Sequence, residues 1–328
     1  MLEANTAGHT PGYGDDPWTA KAIVHIQNLF ETKASVHFVF NGTAANSLAL
    51  AQFCRPYNSV IAHAFSHVEM DEAGGPGFYS GGAKLATLEG TGAKLNPTSV
   101  AHQATRDTGI HHSKPSVLSL SQATELGTVY TIDELHALTS QAHQHALKVH
   151  MDGARFANAV ASLGCSPAEM SWKAGVDVLC FGGVKNGLGA GEAVLFFDPE
   201  DSREFEWRVK QSGHLNSKMR LVTSAWSGLL ENGTWLKNAQ HANAMADRLG
   251  RAMAGISRIK LTQPVEANAV FAEIPLSAQA TLRQKGWAFY TFRPPLECRL
   301  MCAWDTEAKT VDRFSQDLAG IIAAHYPA

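Results

Sequence analysis

Two residues of this chain combine a reactive side chain with an apolar run that leads straight to it. Asp152 follows Val149–His150–Met151 and precedes Gly153–Ala154–Arg155. Lys185 follows Val178–Leu179–Cys180–Phe181–Gly182–Gly183–Val184 and precedes Asn186–Gly187. Each run reads as a buried strand, and in open α/β sheets ligands bind beyond the carboxyl ends of the strands. A carboxylate there can bind a cationic ring nitrogen, a metal or a ribose; it can equally cap a helix over Ala154–Ala159. A lysine there is desolvated, which favours its neutral amine and suits it to Schiff-base chemistry. A solvated loop is the commoner place for a lone lysine, but the strand-end acid 33 positions upstream argues against it. Gly187–Leu188–Gly189–Ala190–Gly191 has the glycines of a dinucleotide loop. That loop must open a helix, whereas Glu192–Phe197 reads as a strand, so a dinucleotide site is rejected.

A third segment, Phe40–Asn41–Gly42–Thr43–Ala44–Ala45–Asn46, reads as strand, turn and helix start. The open amides of such a start, with the Thr43 hydroxyl, suit a phosphate, although many α/β turns share the pattern. A fourth is His67, with Glu72–Ala73–Gly74–Gly75 behind it. Its imidazole can stack on a flat ring or exchange a proton near neutral pH, or be simply structural. A phosphate turn, a strand-end acid and a strand-end lysine together meet the needs of pyridoxal phosphate: an anion cradle, a carboxylate for the ring nitrogen and an amine for the aldehyde. His63 and His67 have the i,i+4 spacing of metal ligands, but no general-base glutamate lies between them, and no metal is expected.

These residues need a layered frame. Asp16–Pro17 starts a helix that runs to about Phe30. Strands are expected at Val36–Phe40, Ser59–Ala62, Lys84–Leu88, Ser116–Leu120, Leu147–Met151, Val176–Phe181 and Ala193–Phe197, with helices at Ala44–Cys54 and, capped by Thr131, Ile132–Ala146. The alternation predicts an α/β fold with a mostly parallel sheet covered on both faces. Beyond about Ser212 come longer helices, Ser217–Leu230 and Trp235–Ala254. A compact α+β end follows, with strands near Ala269–Glu273, Ala288–Phe292 and Arg299–Trp304 and a helix near Thr310–Ala324. We expect a large domain over 1–235 and a small one over 236–328. Neither an internal repeat nor a low-complexity tract interrupts them.

Composition is consistent with this. Hydrophobic residues make up 45% of the chain, enough for a sizeable core without metal or disulfide staples. Lys plus Arg is 27 against 30 acids, so there is no basic field for nucleic acid. Charged residues are only 17%, below the roughly 25% of a typical domain, as in chains that bury surface against their own copies. Five scattered cysteines read as reduced core thiols. Neither a membrane span nor a signal peptide is read. A cytoplasmic homo-oligomer acting on small molecules is expected.

With these segments in place, the sequence resembles the threonine aldolases, in the β-eliminating-lyase group of fold-type I pyridoxal-phosphate enzymes. It is most similar to the bacterial low-specificity branch that also accepts phenylserine. The likeness spans nearly the whole chain. It rests on Tyr13–Gly14–Asp15–Asp16, Phe40–Asn46, His67–Val68–Glu69, Gln122–Ala123–Thr124–Glu125, His150–Arg155, Phe181–Gly187, Gly286–Trp287 through Phe292, Arg299 and Trp304–Asp305–Thr306. The resemblance implies a seven-stranded-type sheet and retro-aldol cleavage of L-threonine, L-allo-threonine or L-phenylserine to glycine and an aldehyde. It makes Lys185 the Schiff-base lysine, Asp152 the partner of the ring nitrogen, Gly42 and Thr43 the phosphate turn, and His67 the residue stacked on the ring. Arg155 and Arg299 fall near the cofactor and the substrate carboxylate. Tyr13 and Arg220 fall where an adjoining subunit's site is reached, Arg220 as a phosphate contact, in a tetramer with shared active sites.

Two departures from the family pattern stand out. Many members carry a second active-site histidine in the region of Gln122–Glu125, where this chain has none, so help for the substrate hydroxyl falls to His67, a water it orients, or Thr124. The family pattern also begins earlier than Met1–His9, which makes a catalytically silent relative one rival expectation. Another pyridoxal-phosphate reaction on the same fold, β-elimination or transamination, is the other.

Overall fold

The computed structural model describes residues 1–6, 8–106 and 109–326. Seven strands form one sheet: β1 (Ser35–Val39), β2 (Asn58–His63), β3 (Lys84–Leu88), β4 (Lys114–Ser121), β5 (Lys148–Gly153), β6 (Val178–Phe181) and β7 (Glu192–Phe196). Their spatial order is β1-β7-β6-β5-β4-β2-β3. Strands β3, β2, β4, β5 and β6 pair in parallel, and β7 runs antiparallel to both its neighbours. Every residue of β2, β6 and β7 is buried, as expected of strands covered on both faces.

The helices that matter here are α1 (Pro17–Leu29), α2 (Gly42–Phe53), α3 (Ile132–Gln144), α4 (Phe156–Leu163), α5 (Arg220–Leu230), α6 (Thr234–Ala254), α7 (Leu276–Gln284) and α8 (Ala308–His325). Alternation along the strands sorts them into layers. On β6, Val178 and Cys180 face Ala45, Leu48 and Ala49 of α2. Leu179 and Phe181 face the opposite cluster with Ile26 of α1, Leu135 of α3, Phe156 of α4 and Trp226 of α5. Phe30, Phe156 and Phe181 pack as a trio with ring centroids 5.3–5.7 Å apart. Helix α2 is buried from Ala44 to Ala51 without a break, and apart from Asn46 and Ser47 that stretch is all alanine and leucine. Starts follow the sequence signals. Asp16 Oδ1 accepts the Thr19 amide at 2.8 Å, and Thr131 and Glu134 exchange bonds as a capping box.

A second, antiparallel sheet has the order β10-β11-β9-β8, from β8 (Lys260–Leu261), β9 (Ala269–Glu273), β10 (Tyr290–Arg293) and β11 (Glu297–Met301). With α7 and α8 it encloses its own core, built on Leu249, Met253, Val270, Leu282, Phe314 and Leu318. Helix α6 packs on α4 of the larger layer and on α8 and β9 of the smaller one, joining the two. The last strand ends three residues earlier than the sequence suggests, because Cys302 donates its amide to Asn268 and the chain then turns at Ala303–Thr306. Phe40 likewise lies outside β1 and is 61% exposed. All five cysteines are unpaired, and Cys165 is only half-buried.

Candidate active site

Asp152 is the next-to-last residue of β5 and is buried with both oxygens engaged. Oδ1 accepts the Ala154 amide at 2.9 Å and Oδ2 accepts the Asn46 side-chain amide at 3.2 Å. The helix-cap alternative is thereby decided: α4 starts at Phe156, Arg155 occupies its cap position, and Asp152 only closes the turn before it. The next strand, β6, runs into Gly182 and Gly183 and then a single tight turn, Val184–Asn186, that carries Lys185. These two strand ends touch. A Cβ on Gly153 would sit 2.6 Å from the Cys180 carbonyl oxygen, and one on Gly182 would sit 2.7 Å from that of Ala154. We therefore expect Gly153→Ala to lower stability by at least about 2 kcal/mol, since backbone and not a flexible side chain must give way; urea unfolding measures it.

Helix α6 fixes the lysine turn from behind. Asn186 donates to the Trp235 carbonyl at 2.8 Å, and Asn238 donates to the Asn186 carbonyl at 2.9 Å. In front, the Glu192 carboxyl at the start of β7 accepts the Gly183 amide at 2.5 Å. Burial raises Glu192 to about 7. Burial lowers Lys185 from the usual lysine value, and the Arg155 guanidinium adds to the effect, so its neutral amine is favoured.

The N-terminus of α2 faces Lys185 across a cavity of about 310 Å³. Asn41 caps this helix, accepting the Ala44 amide at 2.9 Å, so the first-turn amides of Gly42 and Thr43 have no intrahelical acceptor. Asn46, His67, Asp152, Gly189 and Glu192 complete the wall. A second cavity, about 450 Å³, adjoins it and shares Lys185 and His67. Its other walls are Arg155, Glu125, Phe65 and Met70 from the large layer and Tyr290, Phe292 and Arg299 from the small one. Arg155 and Arg299 each hold a buried Nε without a hydrogen-bond partner; Arg299 approaches Glu125 only to 3.7 Å. Two under-satisfied guanidinium groups in one cavity are a ready fork for a carboxylate. His67 bonds through Nδ1 to Glu72 at 2.9 Å, and that bond raises its pKa above the usual histidine value.

Seven expected residues thus meet around two cavities: Lys185, Asp152, His67, Gly42, Thr43, Arg155 and Arg299. Three do not. The Thr124 hydroxyl is buried against Thr128 (2.8 Å) and the Gly92 carbonyl (3.2 Å) and lines neither cavity, because the Gln122–Glu125 turn folds its side chain inward. Tyr13 is exposed, its ring 4.7 Å beneath the Lys210 ammonium. Arg220, first residue of α5, is buried and donates to the Thr10 hydroxyl. His63 is also engaged elsewhere, accepting the Phe65 amide and facing the Gly90 carbonyl. Among the described residues no cluster of three or more metal-ligating side chains occurs, and no helix is long and apolar enough to cross a membrane. Glu192 and Asn46 are the site residues the sequence does not single out. The only signals are an acid opening an otherwise apolar strand and an amide inside an apolar helix.

Comparison with known proteins agrees with this geometry. The model of the beta-eliminating lyase family matches residues 1–276. A low specificity L-threonine aldolase from a Pseudomonas species (strain NCIMB 10558) is 50% identical over 98% of this chain and 93% of its own length. The low specificity L-threonine aldolase of Escherichia coli K12 is 28% identical over 79% of this chain and 77% of its own. Among solved structures, Leishmania major threonine aldolase superposes with a TM-score of 0.92 at 28% identity, covering 98% of this chain and 95% of that one. Serine palmitoyltransferase from Sphingomonas wittichii shares the fold, with a TM-score of 0.70 at 15% identity, covering 95% of this chain and 77% of that one. A family match over most of the chain and a half-identical relative over nearly all of it lead to one assignment: the chain belongs to the threonine aldolases of the beta-eliminating lyase family.

Proposed function

We propose that this protein cleaves L-β-hydroxy-α-amino acids (L-threonine, L-allo-threonine and L-phenylserine) to glycine and an aldehyde, using pyridoxal 5′-phosphate held in the first cavity. The observation that carries this reading is the junction of the two cavities at Lys185 and His67, with an acid buried in one and a pair of arginines in the other. The residues present fit the cofactor: open helix amides at Gly42 and Thr43 for a phosphate, Asp152 for a protonated ring nitrogen, and a desolvated amine between them. When bound, the cofactor supplies an electrophilic carbonyl carbon and an electron sink for the Cα–Cβ bond.

The protein's own residues do the rest. Lys185 would hold the cofactor through its carbonyl carbon, a role that requires the neutral amine that desolvation favours. Asp152 keeps a proton on the ring nitrogen. Arg155 and Arg299 orient the substrate carboxylate, which fixes the remaining Cα substituents relative to the wall of Phe65, Met70, Tyr290 and Phe292. His67, at the junction, takes the β-hydroxyl proton. In this reading the unit of residues 1–235 binds the cofactor and the unit of 236–328 brings Arg299 to the substrate.

The protein is further proposed to act as a cytoplasmic homotetramer with shared sites, in which Tyr13 and Arg220 serve the neighbour. Neither lines the two cavities, and Lys185 and His67 are the only basic side chains among the described residues that line the first. Its five unpaired cysteines suit a reducing compartment. Light scattering tests the assembly, and a fully active monomer would refute it.

The activity test is incubation of cofactor-loaded protein with L-threonine and with L-phenylserine, measuring glycine and the aldehyde; ammonia or a keto acid in their place would overturn the reading. Arg299→Ala is expected to raise KM for either amino acid by roughly 10²-fold, the loss of a charge-assisted contact of about 2–3 kcal/mol. Steady-state kinetics check it, and an unchanged KM would remove Arg299 from the substrate site.

A further inference from the structure

Outside the groups assigned above, one buried acid connects two of them. Glu72 follows the short helix His67–Met70, and its side chain is fully buried. Its Oε1 meets His67 Nδ1 at 2.9 Å and the Asn46 side-chain amide nitrogen at 2.8 Å. The same Asn46 nitrogen donates to Asp152 Oδ2 at 3.2 Å, and Ser47 approaches the second Glu72 oxygen at 3.5 Å. His67, Glu72, Asn46 and Asp152 therefore form one chain of hydrogen bonds along the wall of the first cavity. The loop carrying Glu72 is held tight on α2, for a Cβ on Gly75 would lie 2.6 Å from the Ser47 hydroxyl.

We propose that Glu72 is a positioning residue, which fixes the Nδ1–H tautomer of His67 and, through Asn46, the orientation of the Asp152 carboxylate, so that base and acid are set by one carboxylate. The inference rests on the proposed function for the roles of His67 and Asp152. An ionised Glu72 accepts only, so His67 Nδ1 must donate to it and Nε2 is left to carry the lone pair toward the cavity junction. The single Asn46 NH₂ has two hydrogens, one for each carboxylate, and it keeps two buried acids apart while satisfying both. Other charges reach His67 as well: Asp152 and Glu125 favour its protonation, and Asp71, Lys185 and Arg155 line the cavities that it shares. Glu72 differs from these in touching the ring directly.

The experiment compares wild type, Glu72→Gln and Glu72→Asp, with ¹⁵N-histidine NMR of cofactor-free protein and pH–rate profiles of the loaded enzyme. The His67 signal is identified by its loss in His67→Gln. Expected are an Nδ1–H tautomer in the wild type, a His67 titration displaced to lower pH in Glu72→Gln, an acid limb of kcat/KM displaced the same way, and a kcat at least tenfold lower. Glu72→Asp, which keeps the charge, should recover part of the loss. An Nε2–H tautomer in the wild type, or a His67 titration identical in wild type and Glu72→Gln, would overturn the proposal. The tautomer is read on wild type alone, so a variant that fails to fold does not protect the idea. NMR needs no substrate, so its failure defeats this inference, whereas a wild type that releases no aldehyde defeats the proposed function.

Discussion

Lys185→Ala releases no measurable aldehyde from L-threonine: the expected loss is on the order of 10⁴-fold or more in kcat, as when the attacking group of a covalent enzyme is deleted. The fold should tolerate the change. Lys185 makes no hydrogen bond among those found for the described residues, lines both cavities and sits beside the Arg155 guanidinium, so removing its amine relieves like-charge repulsion and leaves no sealed void. Stability within about 1 kcal/mol of wild type is expected, because the truncated side chain faces open cavities and makes no hydrogen bond. Coupled assays for aldehyde and glycine measure the first quantity and thermal unfolding of cofactor-free protein the second. A variant that keeps near-normal turnover would remove Lys185 from the chemistry. A variant that loses activity only because it unfolds would show itself in the melting curve.

The second large effect is on stability and is set by pH. Glu192 has a folded-state value of about 7 against an ordinary 4.5 because burial penalises its charge. A group raised in this way contributes stability that is fully present below the unfolded value and is lost as pH rises through the folded one. Between pH 4.5 and pH 8 wild type should therefore lose about 3 kcal/mol through this residue, from a shift of roughly two and a half units at about 1.4 kcal/mol each. Glu192→Gln keeps an oxygen for the Gly183 amide and cannot ionise, so the variant should gain on wild type by about that amount across the window. Urea midpoints at both ends of the range decide it. A stability difference between the two proteins that does not change with pH would show that Glu192 is ionised throughout.

What the sequence made legible is what local pattern controls. Asp152 and Lys185 could be found because each closes an apolar run, and a polar residue there has few structural reasons to exist. Asp16, Thr131 and Asn41 announced helix starts through short-range capping, which depends on neighbours three residues away. Thr124 was misplaced for the complementary reason. The resemblance put it near the site, in place of the histidine many family members carry in the region of Gln122–Glu125, but its hydroxyl turns to Thr128 and Gly92, and only the three-dimensional path of residues 90–93 reveals that partner. Asn46 and Glu192 stayed invisible because their partners, Asp152 and Gly183, come from other strands or the far side of a loop. Helices such as Pro97–Ala104, Phe205–Gln211 and α7 bury only one to three side chains each, so their sequences carry little amphipathic signal.

The contact between the ends of β5 and β6 has a consequence for how this protein can be altered. Because Gly153 and Gly182 press backbone on backbone, the spacing of Asp152 and Lys185 is dictated by main-chain geometry and cannot be retuned by nearby side chains. The opposite wall is different in kind: Tyr290 is 75% exposed on a short strand of another sheet. On the proposed function, reaction and selectivity rest on separate supports. Laboratory evolution toward bulkier aldehydes should collect its changes along β10 and leave the floor beneath the cofactor untouched.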